Sequence, residues 1–308
     1  MRIVTQQSVG GPEVLEIRDV PDPQPGPGEV RVRVAAAGVN PVDIAVRAGH
    51  YPLLGAPPFT LGWDVAGVVD AVGPGVSDLQ VGDRVFGMPN FPGAAATYAE
   101  IVVAPVAHLT RTPATLADLE AAALPLVGLT AYQALVEVGQ VAAGQRVLIQ
   151  AAGGGVGHLA VQVAKAHGAY VVATASPGKA DFVRGLGADE VRDYTQGSFT
   201  DDLEPVDLAL DPFGAANTET VLGVVRDGGI VSSLLDFDDG ARDLAAARGI
   251  RLARIRVAPD RLALLALADL AARGLLVPHV SATYSLEKAG DAHREFDTGV
   301  LGKIVLTP

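Results

Sequence analysis

Four glycines fall within five residues at Gly153-Gly154-Gly155-Val156-Gly157. Glycines at that density let backbone amides close around an anion. The preceding Val147-Leu148-Ile149 is apolar enough to be buried on both faces, as a central parallel strand requires. The following segment repeats its apolar residues at helical spacing, with Leu159, Ala160, Val163 and Ala164 on one face and Val161 widening it. Strand, turn and helix in that order aim the unpaired N–H groups and dipole of a helix N-terminus at the turn. That is the arrangement that holds a dinucleotide pyrophosphate, and Gly153, Gly154, Gly155, Val156 and Gly157 are the candidate phosphate-binding backbone. A purely structural glycine turn is the alternative.

The next strand and turn bear on which dinucleotide. Sites for NAD carry an acidic residue about 20 positions past the glycines, on the ribose 2′-hydroxyl. Here Tyr170-Val-Val-Ala-Thr-Ala runs into Ser176-Pro-Gly-Lys179, and no Asp or Glu lies between Lys165 and Asp181. A carboxylate would repel a 2′-phosphate, whereas a hydroxyl and an ammonium attract one. Ser176 and Lys179 are the candidates for that contact, and NADP is expected over NAD. The plainer roles are also open: Ser176 as the cap of a helix starting near Pro177, and Lys179 as a solvated lysine.

Those groups need a scaffold, and the chain is long enough, at 308 residues, for two domains. Residues 1–115 read as short strands punctuated by Gly and Pro. Val30-Arg-Val-Arg-Val alternates as a half-buried strand does, Val65–Val72 is a second, and Gly82-Asp-Arg-Val-Phe-Gly begins a third. Many short strands with regular turns suggest a compact barrel. From Leu116 onward helices alternate with apolar strands: helices near 118–123 and 130–138, then strands at 146–150, 170–174, 206–211 and 229–235. That alternation predicts a doubly wound parallel sheet. An apolar helix over 259–273 closes on Gly274, and strand-like patterning returns at 277–281 and 302–306. The fold class is therefore α/β, a barrel plus a doubly wound cofactor domain. The domains are expected at 1–120, completed by 265–308, and at 121–264.

Composition excludes several functions. There is no cysteine, hence no disulfide, thiolate metal site or cysteine nucleophile. The net charge of −12 argues against nucleic acid or an anionic membrane as partner. No apolar run approaches the about 18 residues of a membrane span, and Met1–Gly11 lacks a signal-peptide core, so a cytoplasmic protein is expected. Arg248, Arg251, Arg254, Arg256 and Arg261 cluster, but Asp260 and apolar residues interrupt them, and a solvated face is the expected reading.

With both halves read, the chain resembles the zinc-free quinone oxidoreductase (zeta-crystallin-like) branch of the medium-chain dehydrogenase/reductase superfamily. The segments that carry the resemblance are AAGVNPVDIAVRAGHYP (36–52), LGWDVAGVVDAVGPGV (61–76), VGDRVFG (81–87), AALPLVGLTAYQAL (122–135) and QAAGGGVGHLAVQVAK (150–165). The resemblance implies a GroES-like barrel interrupted by a Rossmann domain, with NADPH between them, and a homodimer joined through the Rossmann domains. It also implies hydride transfer to a quinone or an α,β-unsaturated carbonyl. Where zinc alcohol dehydrogenases have a metal-binding Cys this chain has Asn40, and where they have Gly-His-Glu it has Gly62-Trp63-Asp64. None of the six histidines is spaced with a second as a ligand pair, so no metal is expected. Without a Lewis acid, acceptors that are already electron-poor fit best, because the incoming charge delocalises.

The same resemblance suggests further site residues. Asn40 is placed at the cleft with an amide able to donate to a substrate oxygen or to the nicotinamide, or is an ordinary Asn before Pro41. Tyr51 lines the active site and can donate a proton, or simply packs in its loop. Thr130 is brought near the cofactor, although capping the helix it opens would also explain it. Tyr194 falls beside the 2′-phosphate. Phe213 lies in the loop Asp211-Pro-Phe-Gly, at a strand end where ligands bind in open α/β sheets. Leu234 and Leu235 end the next such strand, and Lys303 either reaches the cleft or is solvated. Two other functions stay open: an enoyl-thioester reductase, for which no basic patch is visible, and a non-enzymatic NADPH-binding regulatory or crystallin-like protein.

Overall fold

The alternation in Val30-Arg31-Val32-Arg33-Val34 is realised as the strand Glu29–Gly38 in the computed structural model, which describes residues 1–308. Its three valines are buried, while Arg31 and Arg33 reach Asp70 on the adjacent strand Val65–Val72. This strand is the hub of a seven-stranded sheet. The order is Val280–Ser285, Lys303–Thr307, Glu29–Gly38, Val65–Val72, Arg84–Gly87 and Leu109–Arg111, with Ile101–Pro105 also paired to the hub. Every pairing is antiparallel except that between the strands at 280–285 and 303–307. Val32, Val65, Val69, Val85 and Leu109 fill the interior, each worth about 1.5–3 kcal/mol of burial. The hub and its neighbour approach so closely that a Cβ on Gly67 would lie 2.1 Å from the Arg33 carbonyl oxygen. A three-stranded sheet of Glu16–Asp19, Arg2–Gln6 and Phe59–Thr60 completes this part.

Met1–Leu129 and Ala258–Pro308 form one unit and Thr130–Val257 the other. The second unit is built on six parallel strands. In chain order they are Arg146–Ile149, Tyr170–Ala175, Glu190–Asp193, Val206–Asp211, Val225–Ser233 and Arg251–Arg254. Their spatial order is 3-2-1-4-5-6, a Rossmann sheet whose order reverses between the first and fourth strands. The two edge strands are additions to the sequence reading. Glu190–Asp193 lies in what reads as a charged run, and Arg251–Arg254 in what reads as a solvated arginine cluster. Edge strands tolerate charge because one side of the ladder faces water.

Three boundaries move. The helix expected at 130–138 starts earlier, at Pro125, and runs to Tyr132 before a π-helical stretch over Gln133–Val138. Proline favours the first helical position, where no N–H partner is needed. The strand expected at 277–281 is Val280–Ser285. The late apolar helix is Arg261–Ala272, and Gly274 behind it is left-handed at φ 69°. No helix is long and apolar enough to cross a membrane. The Asp260 side chain accepts from Leu262 N and Ala263 N, so it caps that helix outright. Asp260→Ala is expected to cost about 1 kcal/mol and Asp260→Asn much less; urea unfolding of the two variants, read by circular dichroism, checks this.

Candidate functional site

In the second unit the glycine turn leaves the first strand and enters the helix Gly155–Ala166. None of these glycines has a positive φ; that conformation is taken by Ala151, at φ 51°. What the turn needs from glycine is proximity. A Cβ on Gly157 would lie 2.3 Å from the Ala151 carbonyl oxygen, so only glycine lets the helix start this close to the strand end. No side chain caps the first turn, which leaves its N–H groups directed at the space beyond the strand. Those donors fit a pyrophosphate. A nicotinamide dinucleotide held there would supply a hydride from its reduced ring.

Ser176 is the N-cap residue of the helix Pro177–Gly185, but its hydroxyl makes no cap hydrogen bond. The cap is made by the backbone instead, Lys179 N donating to Ser176 O at 2.9 Å. The Lys179 side chain is half-buried, and that burial pulls its pKa below the usual lysine value. A phosphate beside it would reverse the shift. Tyr194, just past the third strand, is exposed.

The fourth strand ends in a clasp. Asp211 is buried, and its carboxylate accepts from Phe213 N at 2.9 Å and Thr218 Oγ1 at 3.0 Å. Burial raises its pKa while these donors oppose the rise. Asn217 Nδ2 donates to Gln150 Oε1 at 2.9 Å and so ties this turn to the first strand's end. The clasp leaves the Phe213 ring exposed, as is Leu235 at the end of the fifth strand; Leu234 is half-buried, its N–H donating to Asp211 O. Phe213 thus stands exposed at the end of the fourth strand, which adjoins the first where the strand order reverses, and Leu235 stands exposed at the end of the fifth.

In the first unit the structure gives Asn40 and Lys303 a setting that the sequence did not suggest. Both are buried, Lys303 with 1% of its surface exposed. The Lys303 ammonium donates to Val39 O at 2.7 Å, to Asn40 Oδ1 and to Asp64 Oδ2 at 3.2 Å. Asn40 Nδ2 donates to the same Asp64 oxygen at 2.8 Å, and Asp64 Oδ1 accepts from Leu126 N at 2.7 Å. Gly38 makes room for this: a Cβ there would lie 2.6 Å from Asp64 Oδ2. Asn40 is therefore engaged at both ends of its amide and has no exposed atom to offer a ligand. Lys303 is neither solvated nor open to a phosphate. Thr130 is buried inside the helix Pro125–Tyr132 and is not its N-cap, because Pro125 begins the helix a turn earlier. Tyr51, beyond the helix Pro41–Ala48, is exposed.

A second polar chain leaves the same loop. Asp43 accepts from Asn40 N at 2.8 Å and Gly62 N at 3.1 Å, and the buried Tyr98 leads away from the same interior. Tyr98 Oη lies 3.2 Å from His293 Nε2, and His293 Nδ1 lies 3.0 Å from Arg47 NH1. A guanidinium can only donate, so Nδ1 accepts and Nε2 carries the imidazole proton. Each donor then points along the chain from Arg47 through His293 to Tyr98. Sequence reasoning passed over Asp64, Tyr98 and His293. The one available signal was a carboxylate inside the apolar run Leu61–Val69. No group of three or more His, Cys, Asp or Glu side chains is placed to hold a metal ion.

A GroES-type sheet and a 3-2-1-4-5-6 parallel sheet on one chain define a medium-chain dehydrogenase/reductase, and comparison with known proteins agrees. Residues 26–114 match the alcohol dehydrogenase GroES-like domain and residues 186–306 the zinc-binding dehydrogenase domain. Human quinone oxidoreductase is 32% identical over 326 residues, covering 99% of this chain and 97% of the relative. The solved structure of Escherichia coli quinone oxidoreductase complexed with NADPH is similar at a TM-score of 0.90, with 27% identity and all of both chains covered. A structure described as an NAD-dependent alcohol dehydrogenase, also covered in full, reaches 0.92 with 35% identity. The chain belongs to the quinone oxidoreductase, zeta-crystallin-like, branch of that superfamily.

The polar chain makes a testable statement about pH. Burial, then Arg47, holds His293 down to about 3 from its ordinary 6.5. Burial pushes Asp43 up to about 7 from 3.8, against its two backbone donors and Lys303. Below pH 6.5 the unfolded chain binds a His293 proton that the folded chain refuses, so this group's stability is lost as pH falls. Above pH 3.8 the folded chain keeps an Asp43 proton that the unfolded chain has lost, so stability is lost as pH rises towards 7. The slopes, each about 1.4 kcal/mol per pH unit, oppose one another between about pH 4 and 6.5. In His293→Gln only the Asp43 slope survives. The gap in unfolding free energy between parent and variant should therefore widen steadily from pH 4 to 6.5; denaturant titrations that stay parallel across that range contradict the assignment.

Proposed function

We propose that the chain is an NADPH-dependent oxidoreductase that passes hydride, without a metal, to a quinone or an α,β-unsaturated carbonyl. The observation that carries the NADPH preference is the end of the second Rossmann strand. The chain carries no Asp or Glu between Lys165 and Asp181, the Ser176 hydroxyl makes no helix-cap bond, and Lys179 sits within the first turn of the helix behind it, although Asp193 on the neighbouring strand pairs with Ala175. Since a similar structure is described as NAD-dependent, the choice of nicotinamide rests on these residues.

The residues divide the work between holding and orienting. Gly153 to Gly157 accept the pyrophosphate on backbone N–H groups, and Ser176, Lys179 and Tyr194 flank the 2′-phosphate. Phe213, Leu234 and Leu235 offer apolar surface to the rings. Support for a metal-free reaction comes from the first unit, where the oxygens of Asn40 and Asp64 already accept from the Lys303 ammonium. An acceptor whose added charge delocalises into an enolate or hydroquinone anion suits such a site. Positioning then carries much of the rate. Tyr51, exposed beyond the helix that Asn40 begins, is the side chain available to return a proton; water can do the same.

Titration with NADPH and NADH, followed by nicotinamide fluorescence, tests the reading. The expected result is tighter binding of NADPH, weakened about tenfold or more in Lys179→Ala, with NADH changed less than about twofold. Equal binding of the two cofactors by the parent protein overturns the phosphate assignment. Binding of NADPH with no turnover on a panel of quinones and enones overturns the reductase reading.

A further inference from the structure

An ammonium group has three donors and no acceptor, and all three donors of Lys303 are engaged inside the protein by Val39 O, Asn40 Oδ1 and Asp64 Oδ2. These acceptors come from two chain segments, and the ammonium from a third that is remote from both. One is the turn that starts the helix Pro41–Ala48, another is the end of the Leu61–Asp64 segment, and the third is the strand Lys303–Thr307. Asp64 extends the set to the helix that carries Thr130 by accepting from Leu126 N. Burying an ammonium and a carboxylate carries a desolvation cost that their mutual attraction seldom exceeds. Stability alone is therefore a weak reason for this arrangement. What it does supply is geometry. The amide of Asn40 is fixed with its oxygen towards the cation and its nitrogen towards Asp64, and two helix starts are tied to one point.

We infer that Lys303 is a built-in cation and a positioning residue. Its ammonium fills a three-oxygen cation site and thereby sets the helix leading to Tyr51 and the start of the helix carrying Thr130. The site is selective for a monovalent ammonium-type cation. One carboxylate oxygen, one amide oxygen and one backbone carbonyl match three N–H donors, and Asn40 Nδ2 already occupies part of Asp64 Oδ2. For its effect on turnover the inference rests on the reductase reading above; for the cation site itself it does not.

Lys303→Ala removes the ammonium and leaves a buried cavity the length of its side chain. The expected result is a lowered melting temperature and a kcat down about tenfold or more, with NADPH affinity, set by the glycine turn and Lys179, within about twofold of the parent. Adding n-butylammonium should raise both melting temperature and kcat, while n-butanol, of similar length and uncharged, should raise neither. If butanol restores as much as butylammonium, the site needs only filling and the inference fails; it fails equally if Lys303→Ala keeps the parent kcat. Should that variant not fold, Lys303→Met with Asp64→Asn removes both charges together. The double variant is expected to fold and remain slow, and parental kcat in it overturns the proposal. Because the melting temperature needs no turnover, the two readings fail separately. A response to butylammonium in a protein inactive on quinones sinks only the reductase reading, and no response sinks this one.

Discussion

Two carboxyl groups and an ammonium sealed away from water set the terms for the first unit. Asp43, Asp64 and Lys303 are all buried, and a polar or charged group in that position is tolerated only if its hydrogen-bonding capacity is met. Meeting it dictates local structure over a wide span of chain. Asp43 requires the N–H groups of Asn40 and Gly62, Asp64 requires that of Leu126, and Lys303 requires the carbonyl of Val39. Two sharp turns and the first turns of two helices are thereby fixed by electrostatics, whereas the valine-rich sheet beside them is fixed by apolar burial. The sheet brings Gly38 and Val305 into register, and this pairing delivers Lys303 to its partners.

The second unit solves a different problem with the same economy of groups. Its strand order leaves a crevice where direction reverses, and the residues bordering it are held from below. Asp211 accepts from the turn that presents Phe213, and Gln150 accepts from Asn217 in the next turn. An exposed apolar ring at a strand end would otherwise be free to fold back onto the sheet. With the backbone beneath it clamped, Phe213 stays exposed at the strand end.

How far these features were legible in the sequence depended on the kind of force involved. The central strands and the glycine turn were visible because apolar runs and glycine density are local signals. The edge strands Glu190–Asp193 and Arg251–Arg254 were not, since a strand with one side in water needs no apolar alternation and their charges read as surface. The helix at Pro125 was placed a turn late because Thr130 imitates a cap. Asn40 and Lys303 were singled out as site residues, yet their setting was hidden. That Asn40 Oδ1 faces an ammonium contributed 263 residues away is a product of sheet register, and no local pattern reports register between distant strands. Asp64 was the missed clue, a charge within an apolar run that could have no destination except a buried partner.

The pairing of the strand at 303–307 with the hub strand has a consequence for how the molecule is made. Residues 130–257 leave the ribosome as a continuous block and hold all six strands of their sheet. The earlier residues 1–129 include Asp64 and the Asn40 turn but not the cation that pairs with Asp64, nor the strand that pairs with the Gly38 edge of the hub. They must wait while more than half of the chain is synthesised. Until then the Gly38 edge lacks its partner strand and Asp64 lacks its cation, and an unpaired strand edge is open to misassociation. Arrival of Lys303 closes the edge and neutralises the interior in one event, so the first unit to be translated is the last to be finished.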